Sequence, residues 1–200
     1  MTKVHPNAIV SKTRQPALVP EVVVDRSPLV LTVWKKSLLF NCEGFTVYDS
    51  SGNLVFRIDN YTSGNKGEIV LMDASGRSLF FIRRKRLSLM DNWLVYDGET
   101  AVKPLFMVTK HVTILNTKSV AHVTAAGSNT KKPIFDIEGS YAQRACAVYD
   151  DKRRCVAEIK RKETVKGVKF GGDVFSLFVQ PEIDPKVAMA LVVVLDQMFL

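Results

Sequence analysis

The chain has 200 residues, 46% of them hydrophobic and 24% charged, and its formal net charge is +8 at pH 7. This composition excludes a disordered protein, and the length suits one domain that buries roughly 70% of its unfolded surface without a metal or disulfide. The positive charge favours anionic partners such as nucleic acid, acidic lipid headgroups or acidic proteins.

The first part of the chain predicts a flexible leader over residues 1–21, because Pro6, Pro16 and Pro20 stand among polar and small residues without a hydrophobic period. The leader lacks a signal-peptide core, and no later segment reaches the ~20 apolar residues of a membrane-spanning helix. The three cysteines are odd in number and have no metal-ligand spacing, which argues against a secreted disulfide framework. We therefore expect an intracellular protein, cytoplasmic or peripherally bound to a membrane.

A strand–turn–strand pattern recurs at residues 45–58, 69–82 and 145–159. The first strand of each copy ends in an aspartate, which can accept hydrogen bonds from the turn backbone, and a turn glycine follows in two copies. The third copy has Arg153 in place of that glycine. A looser copy extends from Trp93 to Val108. Each copy predicts a β-hairpin.

Further strands are predicted at residues 29–34, 112–115, 121–125, 134–138, 168–170 and 174–179, with a short helical turn over residues 87–92. About a dozen strands are too many for one flat sheet, which tends to curl, split or close beyond ~10 strands. The pattern therefore predicts a mainly β protein, with residues 22–200 forming a single closed antiparallel barrel.

The C-terminal segment predicts the one helix, over residues 185–200. Asp184 is a suitable N-cap, Pro185 a suitable first residue, and residues 187–195 carry no charge. A helix that is apolar on all sides must be buried. At about 1.5 Å per residue it spans roughly 24 Å, which is short of a ~30 Å hydrocarbon core, so we expect it along the barrel axis.

Several phrases resemble the plant LURP-one-related family of the Tubby-like fold, and they lie at residues 45–49, 60–61, 71–76, 87–93 and 171–173. The resemblance extends over residues 22–200. It implies a closed β-barrel threaded by a hydrophobic helix, similar to Tubby proteins and phospholipid scramblases. It also implies a non-enzymatic role, because Tubby domains bind phosphoinositides and the family's founding member is linked to plant defence.

Two basic clusters are the candidate residues for binding an anionic phospholipid. They follow the second and third hairpins at the same position, and they consist of Arg83, Arg84, Lys85 and Arg86, and of Lys160, Arg161 and Lys162. Arg pairs with phosphate through two parallel hydrogen bonds and Lys supplies a point charge, so converging side chains suit a phosphorylated headgroup. The alternative is that Lys and Arg at strand ends only prevent edge-to-edge aggregation.

No catalytic residue, metal site or cofactor is predicted. His111 and His122 flank a candidate hairpin without a nucleophile signature, and the glycine-containing loop at residues 64–67 lacks the Walker spacing. The turn aspartates are explained by capping, although the scramblase resemblance leaves calcium open. Nucleic acid is not expected as a partner, because helix-turn-helix, zinc-finger and basic-zipper signatures are missing from the sequence.

The leading hypothesis is a monomeric, non-enzymatic module that recognises phosphoinositide or another anionic phospholipid at membranes. The alternative is a protein-interaction or scaffold role in plant defence or stress signalling without lipid binding. Lipid scrambling ranks below both, because the sequence offers no exposed membrane span. Lipid binding should respond to salt and to charge reversal at Arg83, Lys85, Lys160 and Lys162, whereas a hydrophobic protein interface should not.

Overall fold

The computed structural model describes residues 27–39, 42–61, 67–111, 118–127, 132–162 and 171–200. This part of the chain forms twelve strands and a helix: β1 (Leu29–Trp34), β2 (Cys42–Tyr48), β3 (Leu54–Tyr61), β4 (Glu68–Asp73), β5 (Ser78–Arg84), β6 (Asn92–Asp97), β7 (Pro104–Lys110), β8 (Ser119–Ala125), β9 (Phe135–Ser140), β10 (Ala145–Asp150), β11 (Cys155–Arg161), β12 (Val174–Val179) and α1 (Pro185–Phe199). Each strand pairs antiparallel with its neighbours in sequence, and β1 pairs with β12 to close the barrel. The predicted Tubby-like fold, a closed barrel of about twelve strands around a C-terminal helix, is confirmed.

The barrel interior is formed by alternate residues of the strands, as the two-residue period of a strand requires. Leu31 and Val33 of β1, and Phe80 and Ile82 of β5, are buried, while their strand neighbours are more exposed. These inward side chains belong to one hydrophobic cluster together with the buried residues of α1. The core therefore lies between the barrel wall and the helix.

Helix α1 begins as predicted. Asp184 is the N-cap, its Oδ1 accepts a hydrogen bond from the backbone N–H of Lys186 at 2.9 Å, and Pro185 occupies the first turn. Every residue from Ala188 to Asp196 is buried, and so is Met198. The helix ends at Phe199, and the N–H of Leu200 donates to the carbonyl of Asp196 at 3.1 Å. Among the described residues, no helix is both long and apolar enough to cross a membrane.

The three hairpin copies share one turn geometry. The aspartates are Asp49, Asp73 and Asp150. In each copy the aspartate Oδ1 accepts hydrogen bonds from the backbone N–H groups two and four residues later, with donor–acceptor distances of 2.8 to 3.0 Å. The residue between the two N–H donors, three positions after the aspartate, needs a positive φ, which Gly52 and Gly76 adopt at 84° and 87°. Arg153 adopts a φ of 62° at the equivalent position, so the third copy keeps the turn without the glycine.

One predicted element is wrong, and several others fall on residues that the structure does not describe. Residues 85–91 connect β5 to β6 through a turn and bends, with no helical turn. The strands predicted at residues 112–115 and 168–170, the leader over residues 1–21 and its boundary lie outside the described residues.

The barrel has two distinct rims. At the C-terminal rim, α1 ends and the odd-numbered strands have their last residues. At the N-terminal rim, α1 begins and the even-numbered strands have their last residues. Lys110, at the end of β7, contacts the carbonyl of Met198 through its Nζ, which places the helix end at the C-terminal rim. The three Asp-capped turns lie at the N-terminal rim, opposite both basic clusters.

Replacing Leu191 or Val193 with Asp should unfold the protein. Both side chains are buried in the centre of α1, and an unpaired buried charge costs several kcal/mol against a total stability of ~5–15 kcal/mol. Circular dichroism and solubility measure the outcome, with Leu191→Ala as a milder control. A folded, soluble Leu191→Asp protein would show that the helix is not enclosed.

Acid should weaken the turns. The side-chain hydrogen bond from Asn53 lowers the pKa of Asp49, and that from Ser75 lowers the pKa of Asp73. A carboxyl whose pKa is lower in the folded state stabilises the fold above its unfolded pKa of about 3.9, and this stabilisation disappears as the pH falls through the folded pKa. The stability difference between wild type and the Asp49→Asn/Asp73→Asn variant should therefore shrink below about pH 4 in thermal unfolding. A difference that stays constant with pH would contradict this role.

Candidate functional site

The two rims differ in charge. Among the described residues that connect strands, the C-terminal rim has seven basic residues and two acidic ones: Lys35, Lys36, Lys85, Arg86, Lys118, Arg144 and Lys162 against Asp91 and Asp173. The corresponding residues of the N-terminal rim are nearly balanced, with Arg77, Lys103, Lys132, Lys152, Arg153 and Arg154 against Asp49, Glu99, Asp151, Glu182 and Asp184. Arg144 is buried, and the other six basic residues of the C-terminal rim are at least partly exposed, so this rim is the more positive end of the described surface.

The first basic cluster lines a depression of about 790 Å³ at the C-terminal rim. All four of its residues contribute, together with Glu68, Leu87 and Ser88. Strand β5 ends at Arg84, so Lys85 and Arg86 lie in the connection to β6. Lys85 and Arg86 are exposed and form no ion pair with any described residue. These two cations are accessible to an anionic ligand.

The other two members of the cluster are held in place by neighbours. Arg83 lies over the ring of Tyr96, with 5.1 Å between the guanidinium carbon and the ring centroid, and its Nε donates to the Tyr96 hydroxyl at 3.1 Å. Arg84 pairs with Asp91 at 2.9 Å, and its side chain is largely exposed. Arg83 therefore forms part of the wall of the depression. Arg84 could release the Asp91 carboxylate and bind a phosphate in its place.

The β5–β6 loop, residues 85–91, borders this depression with apolar side chains. Leu87 and Leu89 have relative exposures of 107% and 109%, and Met90 is also exposed. The loop is fixed at its base, because the N–H of Lys85 donates to the carbonyl of Asn92 at 2.8 Å and the Asn92 amide donates to the Ser88 hydroxyl at 2.7 Å. Basic and apolar groups therefore share one ordered loop.

The second basic cluster does not join the first. Strands β5 and β11 are six positions apart in the ring of twelve, so Lys160, Arg161 and Lys162 lie on the opposite wall of the barrel, at the same rim. The two clusters are therefore separate basic patches at one rim, and no single site contains both. Whether either cluster binds lipid stays a prediction.

Local contacts engage each member of the second cluster. Lys160 pairs with Glu158 at 2.8 Å and lies over the ring of Phe178, and Arg161 donates to the carbonyl of Gln143 at 2.9 Å. The Nζ of Lys162 donates to Thr32 at 2.7 Å. A groove of about 1060 Å³ runs beside this cluster, but it is also lined by two glutamates, Glu138 and Glu158. The first cluster is the better anion site.

Sequence reasoning missed a buried ion pair at the end of α1. Asp196 is 5% exposed; its Oδ1 accepts a hydrogen bond from the Tyr141 hydroxyl at 3.1 Å and lies 3.1 Å from the Nζ of Lys35. Burial, and then the charge of Asp196, raises the pKa of Tyr141 far above its usual range, so the hydroxyl keeps its proton. The signal in the sequence was a single aspartate at the end of an otherwise apolar helix.

The other titratable groups of the described residues include one pair of histidines. His111 and His122 contact each other, with 3.2 Å between ring nitrogens, and partial burial followed by the charge of His111 lowers the pKa of His122. No group of three or more His, Cys, Asp or Glu residues that could hold a metal ion occurs within the described residues. Cys42, Cys146 and Cys155 are free thiols.

The structural class is defined by a closed antiparallel barrel of twelve strands around a buried C-terminal helix. The chain belongs to the LURP-one-related family, whose sequence model matches residues 29–196. It is 54% identical to Protein LURP-one-related 8 of Arabidopsis thaliana, over all of this chain and 98% of that protein. It is 43% identical to Protein LURP-one-related 17 of the same plant, over 98% and 95% of the two chains.

A solved structure has the same fold. An X-ray structure of an Arabidopsis thaliana protein superposes with a TM-score of 0.66 at 26% sequence identity, and the match covers 86% of this chain and 92% of that one. The resemblance seen in the sequence is therefore confirmed at the level of family and fold.

Replacing Lys35 with Met should destabilise the protein by about 1–3 kcal/mol. The change leaves the Asp196 carboxylate buried without its cation, and the usual cost of 3–5 kcal/mol is reduced because the Lys35 side chain is 34% exposed. Urea unfolding measures the loss. Adding Asp196→Asn to Lys35→Met should recover part of it, and equal stability of wild type and Lys35→Met would contradict the role of the pair.

Proposed function

We propose that this chain is a non-enzymatic module that recognises anionic phospholipid, such as a phosphoinositide, through the first basic cluster. The observation that carries this proposal is the depression at the C-terminal rim, where exposed Lys85 and Arg86 have no ion-pair partner among the described residues. Its volume of about 790 Å³ falls in the ~300–1,000 Å³ range of small-ligand sites.

The side chains suit a phosphorylated headgroup. Arg84 and Arg86 can each present two parallel N–H groups to a phosphate, and Lys85 adds a mobile point charge. Asp91 holds Arg84 near the depression, and a phosphate could take the place of that carboxylate as the partner of Arg84. Glu68, which also lines the depression, disfavours a high density of negative charge on that side.

Anionic lipid of the cytoplasmic leaflet is the expected target. Each Lys or Arg near such a surface contributes about 1 kcal/mol, and the attraction decays within a Debye length of about 8 Å at physiological salt. Six basic connecting residues that are at least partly exposed, against two acidic ones, would orient this rim toward the membrane. The protein would then be intracellular and peripherally bound.

The test is co-sedimentation of the purified chain with vesicles of phosphatidylcholine, with and without phosphatidylinositol bisphosphate, at low and high salt. The Arg84→Glu/Lys85→Glu/Arg86→Glu variant should bind at least about tenfold more weakly, because three charges of about 1 kcal/mol each are reversed. The matched control, Lys103→Glu/Lys132→Glu/Lys152→Glu, changes the net charge equally at the N-terminal rim and should bind like wild type.

Two outcomes would contradict the proposal. Equal losses in both triple variants would indicate attraction by net charge alone, without a site at the depression. No binding to anionic vesicles at low salt would remove the lipid function and favour the alternative, a protein-interaction role in defence or stress signalling.

A further inference from the structure

We infer that the β5–β6 loop is a membrane-insertion loop, whose Leu87 and Leu89 enter the acyl region of the leaflet that the basic cluster binds. This inference rests on the proposed lipid recognition and extends it, because it identifies the bilayer itself, beyond the phosphorylated headgroup, as the ligand. It also predicts which end of the barrel contacts the membrane.

The exposure of the leucines is the first argument. Single exposed apolar residues are common on protein surfaces and need no explanation, and Val102 at the N-terminal rim, 86% exposed, is an example. Leu87, Leu89 and Met90 are different, because three exposed apolar side chains occur within four residues. Such a cluster marks a surface that contacts an apolar partner.

The order of the loop is the second argument. Asn92 is itself buried, and its amide donates to Ser88, the residue between the two leucines. The N–H of Lys110, from β7, donates to the carbonyl of Asp91 at 3.1 Å, so a neighbouring strand also supports the loop. These contacts hold the leucines outward before any ligand binds, which lowers the entropic cost of insertion.

The backbone at Leu87 supports the same inference. Its φ of 55° lies in the left-handed region, where a bulky residue is strained and where glycine is usual. Strained residues cluster at sites that bind ligands. A fully exposed leucine at this position gives the folded barrel no packing contact that would offset the strain.

The neighbouring charges favour a bilayer over a protein or a second copy of the chain. Lys85 and Arg86 directly precede Leu87, so cations and apolar side chains are adjacent along one loop. An anionic leaflet has the same order of groups, because its phosphates lie at the surface and its acyl chains begin ~5–10 Å below them. A second copy of the basic rim would instead bring like charges together.

A second apolar group lies at the same rim. Trp34, the last residue of β1, is exposed there, and so are Leu38 and Leu39 in the segment that follows, which also contains Lys35 and Lys36. Strands β1 and β5 are four positions apart in the ring, so the two groups lie about a third of the circumference from each other. Two contacts at one rim would hold the barrel with its C-terminal rim toward the membrane.

The test compares Leu87→Ser/Leu89→Ser with wild type on vesicles containing phosphatidylserine and phosphatidylinositol bisphosphate, at low and high salt. The variant should bind about tenfold more weakly at both salt concentrations, because the apolar contribution is not screened. The charge-reversal variant should lose only the salt-sensitive part. Val102→Ser, at the other rim, is the matched control and should bind like wild type.

Depth is measured separately with the Leu89→Trp variant and lipids brominated on the acyl chains. Both this variant and the wild type it is compared with carry Trp34→Phe, because Trp34 lies at the same rim and would itself be quenched, and the buried Trp93 gives the background. The fluorescence of the Leu89→Trp protein should be quenched more strongly. Unchanged binding of Leu87→Ser/Leu89→Ser, or a Leu89→Trp variant quenched no more than wild type, would overturn insertion, while salt-sensitive binding of the wild type would leave headgroup recognition standing. Wild-type protein that binds no vesicle would overturn both.

Discussion

Enclosure of α1 is the constraint on which the rest of the structure depends. A helix buried from Ala188 to Asp196 offers apolar surface in every direction, and one packing layer cannot cover it. A closed ring of strands can, because each strand turns alternate apolar residues inward, as Phe80 and Ile82 do. Closure also removes sheet edges. The connecting segments consequently start from strand ends whose positions are fixed around the helix.

The end of that helix explains why basic residues gather at one rim. The last carbonyls of α1 carry partial negative charge and Asp196 adds a full one, so cations are favoured there. Lys35 meets Asp196 and Lys110 meets the carbonyl of Met198. Lys85 and Arg86 form no ion pair with the described residues, and they lie beside exposed leucines. The same rim thus contains cations that stabilise the fold and cations that are accessible to a ligand.

The sequence predicted most of the fold, because local chemistry determines the hairpins and the helix. The Asp-capped turns, the N-cap at Asp184 and the apolar run were all visible in the sequence. The candidate site was harder to predict from the sequence than the fold. Register within a hairpin cannot show that β5 and β11 lie on opposite walls, since that follows from closure of twelve strands. The exposure of Leu87 was also hidden, because only the fold shows that its side chain packs against nothing.

Hydrogen–deuterium exchange of the full chain, with and without vesicles containing phosphatidylinositol bisphosphate, tests rim-directed membrane recognition most directly. Membrane contact through the C-terminal rim should slow exchange in peptides that cover residues 85–91. Exchange should stay unchanged in the turn at residues 151–154 of the opposite rim. Protection at residues 151–154, or bound protein without protection at residues 85–91, would contradict it.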